Sequence, residues 1–119
     1  MSPRPLLPAE RVHPAVTDIL SRFHRSTVDE VEQTVARDRW VVVGMRQNPV
    51  VKKARAFLER EGIAFTYLEY GSYLGEWKRR LAIKLWAGFP TYPMIFREGV
   101  LLGGLSELVA LKERGELKP

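Results

Sequence analysis

The stretch Trp40-Val41-Val42-Val43-Gly44, separated by three residues from Asn48-Pro49, decides the fold of this chain. The uninterrupted β-branched run predicts a central strand that is buried on both faces. Asn48 is a good N-cap, and Pro49 suits the first helical position, where no N–H is needed. A helix between Asn48 and Glu61 follows, ended by Gly62. Its buried stripe consists of Val50, Val51, Ala54, Phe57 and Leu58.

The pattern continues toward the C-terminus with alternating segments. Residues 65–70 predict a second strand, and residues 74–86 a cationic helix, marked by Tyr73, Leu74, Trp77, Leu81, Leu85 and Trp86. Residues 94–97 and 100–102 predict a hairpin around Glu98-Gly99. A last helix follows Gly103-Gly104, with Leu105, Leu108, Val109 and Leu111 inside and Gly115 at its end. The order β-α-β-α-β-β-α predicts an α/β fold with a four-stranded mixed sheet flanked by helices.

Two more helices are predicted before this core. Residues 1–26 form a proline-rich segment with a short amphipathic helix over Pro14 to His24, an N-terminal extension of the domain. Thr27-x-x-Glu30 has the spacing of a capping box, so a second helix is expected from Thr27 to Arg37. A chain of 119 residues is long enough for one core, and residues 27–119 are expected to form it.

The absence of cysteine from this sequence excludes whole classes of chemistry. Disulfides, thiolate nucleophiles, cysteine-ligated zinc and cysteine-held iron-sulfur clusters all require that residue. His13 and His24 lie outside any recognisable metal spacing, so they are interpreted as solvent-facing or capping residues. No metal site is predicted.

The net charge of +5 is compatible with nucleic acid, an acidic partner or a solvated basic surface. The one compact cluster, Lys78-Arg79-Arg80, is typical of the solvent-exposed face of a helix, so nucleic-acid binding is not favoured. No apolar run approaches the length of about 20 residues that spans a bilayer. No membrane association is therefore expected, and because no secretory signal is recognised, a cytoplasmic location is the default expectation.

Residues 41–118 together resemble a glutaredoxin. Arg46 follows the first strand, an x-Pro-x-x segment opens the helix, and Thr91-Tyr92-Pro93, Gly103-Gly104 and a helix ending in Glu113-Arg114-Gly115-Glu116-Leu117 come in the family's order. The segment Phe89 to Pro93 is similar to the Trp-Pro-Thr-x-Pro of monothiol glutaredoxins. The resemblance implies a thioredoxin-like fold and a glutathione-binding groove.

The chain departs from this family at the redox tetrapeptide. Glutaredoxins carry Cys-Pro-Tyr-Cys or Cys-Gly-Phe-Ser where this sequence reads Asn48-Pro49-Val50-Val51. Asn48 and Val51 therefore occupy the family's redox positions, and no catalytic residue is assigned. Monothiol relatives also use the first cysteine, with glutathione, to hold a [2Fe-2S] cluster, so that cofactor is not expected.

The resemblance implies that the ligand-binding groove is retained although the redox cysteines are absent. Pro93 matches the family's cis-proline, and the backbone of Tyr92 would pair with an extended peptide such as glutathione. Ser106 stands where an aspartate is usual, which weakens the contact to the glutathione ammonium group. The candidate ligand-binding residues are Arg46, Asn48, Arg80, Lys84, Thr91, Tyr92, Pro93, Gly104, Leu105 and Ser106.

Several of these residues also have a plain structural interpretation. Pro93 and Gly103-Gly104 serve the fold itself, and Arg80 fits a solvated helix face. Tyr70, Tyr73 and Trp77 are expected in core and rim packing, although an exposed cluster there would seat a partner.

Three functions remain open on the sequence. The first is a non-catalytic binding module that takes glutathione or a peptide or protein partner in the former glutathione groove. The second is a glutathione-dependent oxidoreductase or transferase in which glutathione supplies the only thiol. The third is a basic adaptor for nucleic acid or an acidic protein. The sequence leaves the biological partner, the oligomeric state and the role of the N-terminal extension open.

Overall fold

A computed structural model describes residues 7–72 and 75–119. A 3₁₀ turn over Ala9–Arg11 precedes the regular elements. These are α1 (Pro14–Arg22), α2 (Arg25–Arg37), β1 (Trp40–Gly44), α3 (Pro49–Arg60), β2 (Thr66–Glu69), α4 (Trp77–Ala87), β3 (Met94–Arg97), β4 (Val100–Gly103) and α5 (Leu105–Glu113). The predicted order of strands and helices is confirmed. No helix within the described ranges is both long and apolar enough to cross a membrane.

The four strands form one mixed sheet in the order β2-β1-β3-β4. β1 runs parallel to β2 and antiparallel to β3, and β3 pairs antiparallel with β4. All five residues of β1 are buried, which confirms the predicted central strand. Glu98 and Gly99 join β3 to β4 with positive φ angles of 51° and 82°, the combination that a tight two-residue hairpin requires.

The helices lie in two layers because successive side chains of β1 point to opposite faces of the sheet. Val41 and Val43 pack with α2 and α4 in one buried cluster that includes Val31, Val35, Ile83, Met94 and Phe96. Trp40 and Val42 pack with α3 and α5 in a second cluster that includes Ala54, Leu58, Ile95 and Leu108. The sheet is therefore covered on both faces, as the thioredoxin-like fold requires.

The capping box predicted at the start of α2 is wrong. α2 begins at Arg25, with His24 as its N-cap in the left-handed region at φ 46°. The Thr27 hydroxyl accepts a hydrogen bond from Arg79 Nε at 2.8 Å, and the Glu30 carboxylate accepts one from the Tyr70 hydroxyl. Both side chains are engaged in contacts with distant elements, so neither closes the first turn of its own helix.

α4 differs from its prediction in both its start and its faces. It begins at Trp77, and Tyr73 and Leu74 lie outside the described residues. Trp77 is 58% exposed, so its expected place in the packing is wrong, whereas Tyr70 is buried as expected. The buried residues of α4 are Arg80, Ala82 and Ile83.

α1 begins as the sequence predicts, but it contributes no buried residue. His13 accepts a hydrogen bond at Nδ1 from the Ala15 N–H at 3.1 Å, so this histidine caps the helix. Val16, Ile19 and Leu20, which share one face of α1, are all exposed.

Candidate functional site

Three connecting segments meet at one edge of the sheet, and the topology brings them there. β1 and β3 pair Val43 with Met94, and β3 pairs Ile95 with Gly103. The end of β1, the start of β3 and the end of β4 therefore lie side by side. The loop before α3, the segment Thr91 to Pro93 and the start of α5 all extend from this edge.

Pro93 and Gly104 bring two of these segments into contact. The Tyr92–Pro93 peptide bond is cis, as predicted. A Cβ atom at Gly104 would lie only 3.3 Å from the Pro93 carbonyl oxygen. The absence of a side chain at Gly104 therefore lets the start of α5 lie against the cis-proline segment.

Asn48 closes the first turn of α3. Its Oδ1 accepts hydrogen bonds from the Val50 N–H at 2.9 Å and from the Val51 N–H at 3.1 Å. The Val51 side chain is buried, and a Cβ at Gly44 would lie 2.7 Å from Val51 Cγ1. The uncharged amide of Asn48 and the buried side chain of Val51 thus occupy the start of α3. Neither side chain can act as a nucleophile.

Arg46 lies exposed on the loop that leads into α3. Its backbone N–H donates to the Gly71 carbonyl at 2.6 Å, which holds the loop against the end of β2. Gln47 then adopts a φ of 62° and turns the chain toward Asn48. Because the N-terminal end of a helix carries a positive partial charge, the Arg46 cation beside α3 favours an anion at this place.

Arg80 is buried, so the interpretation of this residue as part of a solvated face is wrong. Its side chain is 7% exposed, and Nη1 donates to the Tyr70 carbonyl at 3.0 Å and to the Gly75 carbonyl at 2.5 Å. Within residues 7–72 and 75–119, no carboxylate forms an ion pair with this guanidinium. Arg80 therefore supplies hydrogen bonds to the β2–α4 connection.

Tyr92 links the cis-proline segment to α4. Its side chain is buried and its hydroxyl donates to the Arg80 carbonyl at 2.6 Å. Burial raises the pKa of this phenol. Lys84 Nζ lies 5.6 Å from the centre of the Tyr92 ring, within the range of a cation–π contact. The half-buried Lys84 thus brings a cation close to the segment, while Thr91 is exposed.

The start of α5 contains a capping residue that the sequence reasoning missed. Glu107 Oε1 accepts a hydrogen bond from the Gly104 N–H at 2.7 Å. The spacing Gly104-x-x-Glu107 is that of a capping box and would have identified it. Helix geometry leaves the N–H groups of Leu105 and Ser106 without intrahelical acceptors, and Ser106 is exposed. Such a helix start binds anionic groups readily.

The assembled site combines the cis-proline segment, two helix starts and cations. In the part of the chain that the structure describes, no group of three or more histidine, cysteine, aspartate or glutamate residues is placed to hold a metal ion. The exposed Arg46 cation and the first-turn N–H groups of α5 can each attract an anionic group. It offers no thiol for disulfide chemistry.

Comparison with curated proteins finds a relative over most of the chain and further relatives over about half of it. A "Glutaredoxin-like protein" of Dictyostelium discoideum is 41% identical over 102 residues, which cover 86% of this chain and 83% of that protein. "Glutaredoxin-3" of Homo sapiens is 39% identical over 56 residues, covering 45% of this chain and 17% of the human protein. No family model matches the sequence.

Solved structures match the fold at low sequence identity. A mutated buckwheat glutaredoxin superposes with a TM-score of 0.71 at 18% identity, covering 78% of this chain and 84% of the buckwheat chain. A buckwheat glutaredoxin–glutathione complex gives a TM-score of 0.68 at 19% identity over the same shares. These matches establish the thioredoxin-like fold.

Proposed function

The chain belongs to the glutaredoxin family, and we propose that it is a member that binds glutathione or a similar extended peptide without catalysing thiol-disulfide exchange. One observation carries this proposal. Asn48, at the family's first redox position, directs its amide oxygen to the Val50 and Val51 N–H groups. In the family these donors face a thiolate, which they stabilise. Here they are satisfied by a group that cannot form a mixed disulfide.

Three features near Asn48 support the binding of a peptide with carboxylates in a groove along the cis-proline segment. The close approach of Gly104 to the Pro93 carbonyl places the start of α5 beside the segment that leads into β3, where an extended peptide would pair with the backbone. Exposed Arg46 on one side and the first-turn N–H groups of α5 on the other suit two separate carboxylates. Glutathione has a carboxylate at each end, and the buckwheat glutaredoxin structure with glutathione is a fold neighbour.

Titration with glutathione, followed by backbone amide NMR shifts, tests this proposal. We expect saturable shifts at Arg46, Tyr92 and Ser106 at millimolar glutathione. Arg46→Ala should weaken binding, whereas Arg60→Ala, which removes an exposed cation from the last turn of α3, should not. No shift at these three amides, or equal effects of the two substitutions, would count against binding in this groove.

An assay for mixed-disulfide reduction separates binding from residual catalysis. With glutathione as the only thiol, the donors that could activate it are already bonded to Asn48. We expect a rate equal to the protein-free background. A rate above background that is lost in Arg46→Ala would instead assign glutathione-dependent reductase activity.

A further inference from the structure

The outward face of α4 carries an apolar stripe, which we call the α4 stripe. It consists of Trp77, Leu81 and Leu85, whose exposed fractions are 58%, 37% and 54%. Spacing of four residues places all three on the same side of the helix. Large exposed apolar side chains that adjoin one another mark interaction surfaces. None of the three is used by the groove at the cis-proline segment.

The charge around the α4 stripe is positive. Between Trp77 and Ala87 the helix has four cationic residues and no carboxylate. Helical geometry places Lys78 on one flank of the stripe and Lys84 on the other. Arg79 pairs with Glu76 at 3.0 Å. Cations in a first turn oppose the positive end of the helix dipole, so a negative partner here is favoured.

A groove continues from the Leu85 end of the α4 stripe. It has a volume of about 450 Å³, and its apolar lining includes Leu20 and Phe23 at the end of α1, Val28 of α2, and Leu85 and Trp86 of α4. Arg25 and Glu32 are the charged residues in its lining. A concave apolar groove receives a protruding side chain, which a flat lipid surface does not provide.

We propose that the α4 stripe and this groove bind an acidic amphipathic helix of a partner protein. Apolar side chains of that helix, spaced by four residues, pack on Trp77, Leu81 and Leu85, and its terminal apolar residue enters the groove. Carboxylates along its edges face Lys78 and Lys84. This is the helix-in-groove mode of recognition, with charge complementarity fixing the orientation.

A labelled synthetic helix tests the proposal with the full chain. The probe carries leucines at i, i+4 and i+8 and glutamates at the flanking positions, and binding is followed by fluorescence anisotropy. We expect saturable binding that weakens as salt rises. Leu81→Ser and Leu85→Ser should each weaken binding about tenfold, because each removes a buried leucine from the contact. Lys78→Glu should weaken it as well.

Matched controls distinguish this binding from nonspecific hydrophobic binding. Val100→Ser removes a side chain that is 60% exposed on β4 and should leave binding unchanged. A peptide of the same composition in scrambled order should not bind. Equal binding of the scrambled peptide, stronger binding to anionic lipid vesicles, or occlusion of the stripe by self-association in sedimentation would overturn the proposal. Glutathione shifts at Ser106 report the other groove independently.

Discussion

Asn48 Oδ1 lies 3.1 Å from the backbone nitrogen of Val51, so the two positions where the family places its cysteines are hydrogen-bonded to each other. The Val51 N–H at the second position donates to the Asn48 amide oxygen at the first, and this hydrogen bond is part of the N-cap of α3. The same N–H group would otherwise face a thiolate. In this chain an uncharged side-chain amide accepts the hydrogen bonds of the first turn of α3.

Asn48→Cys should restore a reactive thiol at this site. The substitution releases the Val50 and Val51 N–H groups to a thiolate, so its pKa should fall below the ordinary value of about 8.5. The pH dependence of alkylation by iodoacetamide measures this pKa. Lys53→Cys, an exposed thiol on the same helix, is the matched control and should keep an ordinary pKa. Identical alkylation profiles for the two variants would contradict the prediction.

Asn48→Ala should destabilise the protein by about 1 kcal/mol, because it removes the side-chain acceptor that caps α3. Urea unfolding followed by circular dichroism measures the loss. Asn48→Asp keeps the acceptor and should retain most of the stability. An alanine variant as stable as the unmodified protein would show that the cap contributes nothing.

Arg80→Met should cost about 2 kcal/mol of unfolding free energy. It removes charged hydrogen bonds from the Tyr70 and Gly75 carbonyls, while a side chain of similar length keeps the packing. Lys78→Met on the exposed side of α4 should change the free energy by less than about 0.5 kcal/mol. Thermal melts of both variants make the comparison. Equal melting temperatures for the two would refute a structural role for Arg80.

Tyr67 should make stability fall in alkaline solution. Burial, with a hydrogen bond to Glu69, raises the pKa of Tyr67 from 10.0 to about 12. Between these values the unfolded chain releases the proton while the folded chain retains it, so the unfolding free energy declines as pH rises from 10 to 12. Below pH 10 this contribution is fully present. Tyr67→Phe should remove this part of the decline in urea unfolding, and its difference spectrum should lack a phenolate forming near pH 12.

The order of strands and helices could be predicted because each element is defined by residues within or next to it. The run Trp40 to Gly44 has no polar residue, and only a strand covered on both faces suits it. Asn48 and Pro49 define the start of α3 from within its own first turn. Glu98-Gly99 marks its hairpin in the same way. The sequence by itself therefore determined the order of elements, the family resemblance and the loss of thiol chemistry.

Only the tertiary structure decided how polar side chains are shared between distant elements. Thr27 and Glu30 have capping-box spacing, yet α4 and Tyr70 engage them instead. Arg80 lies in a cationic run, yet it turns inward to carbonyls that sequence spacing does not reveal. Because Arg80 faces the protein interior, the apolar residues Trp77, Leu81 and Leu85 of the same helix face outward. A hydrogen-bond acceptor far along the chain carries no sequence signature, so folding alone determined which face of α4 is exposed.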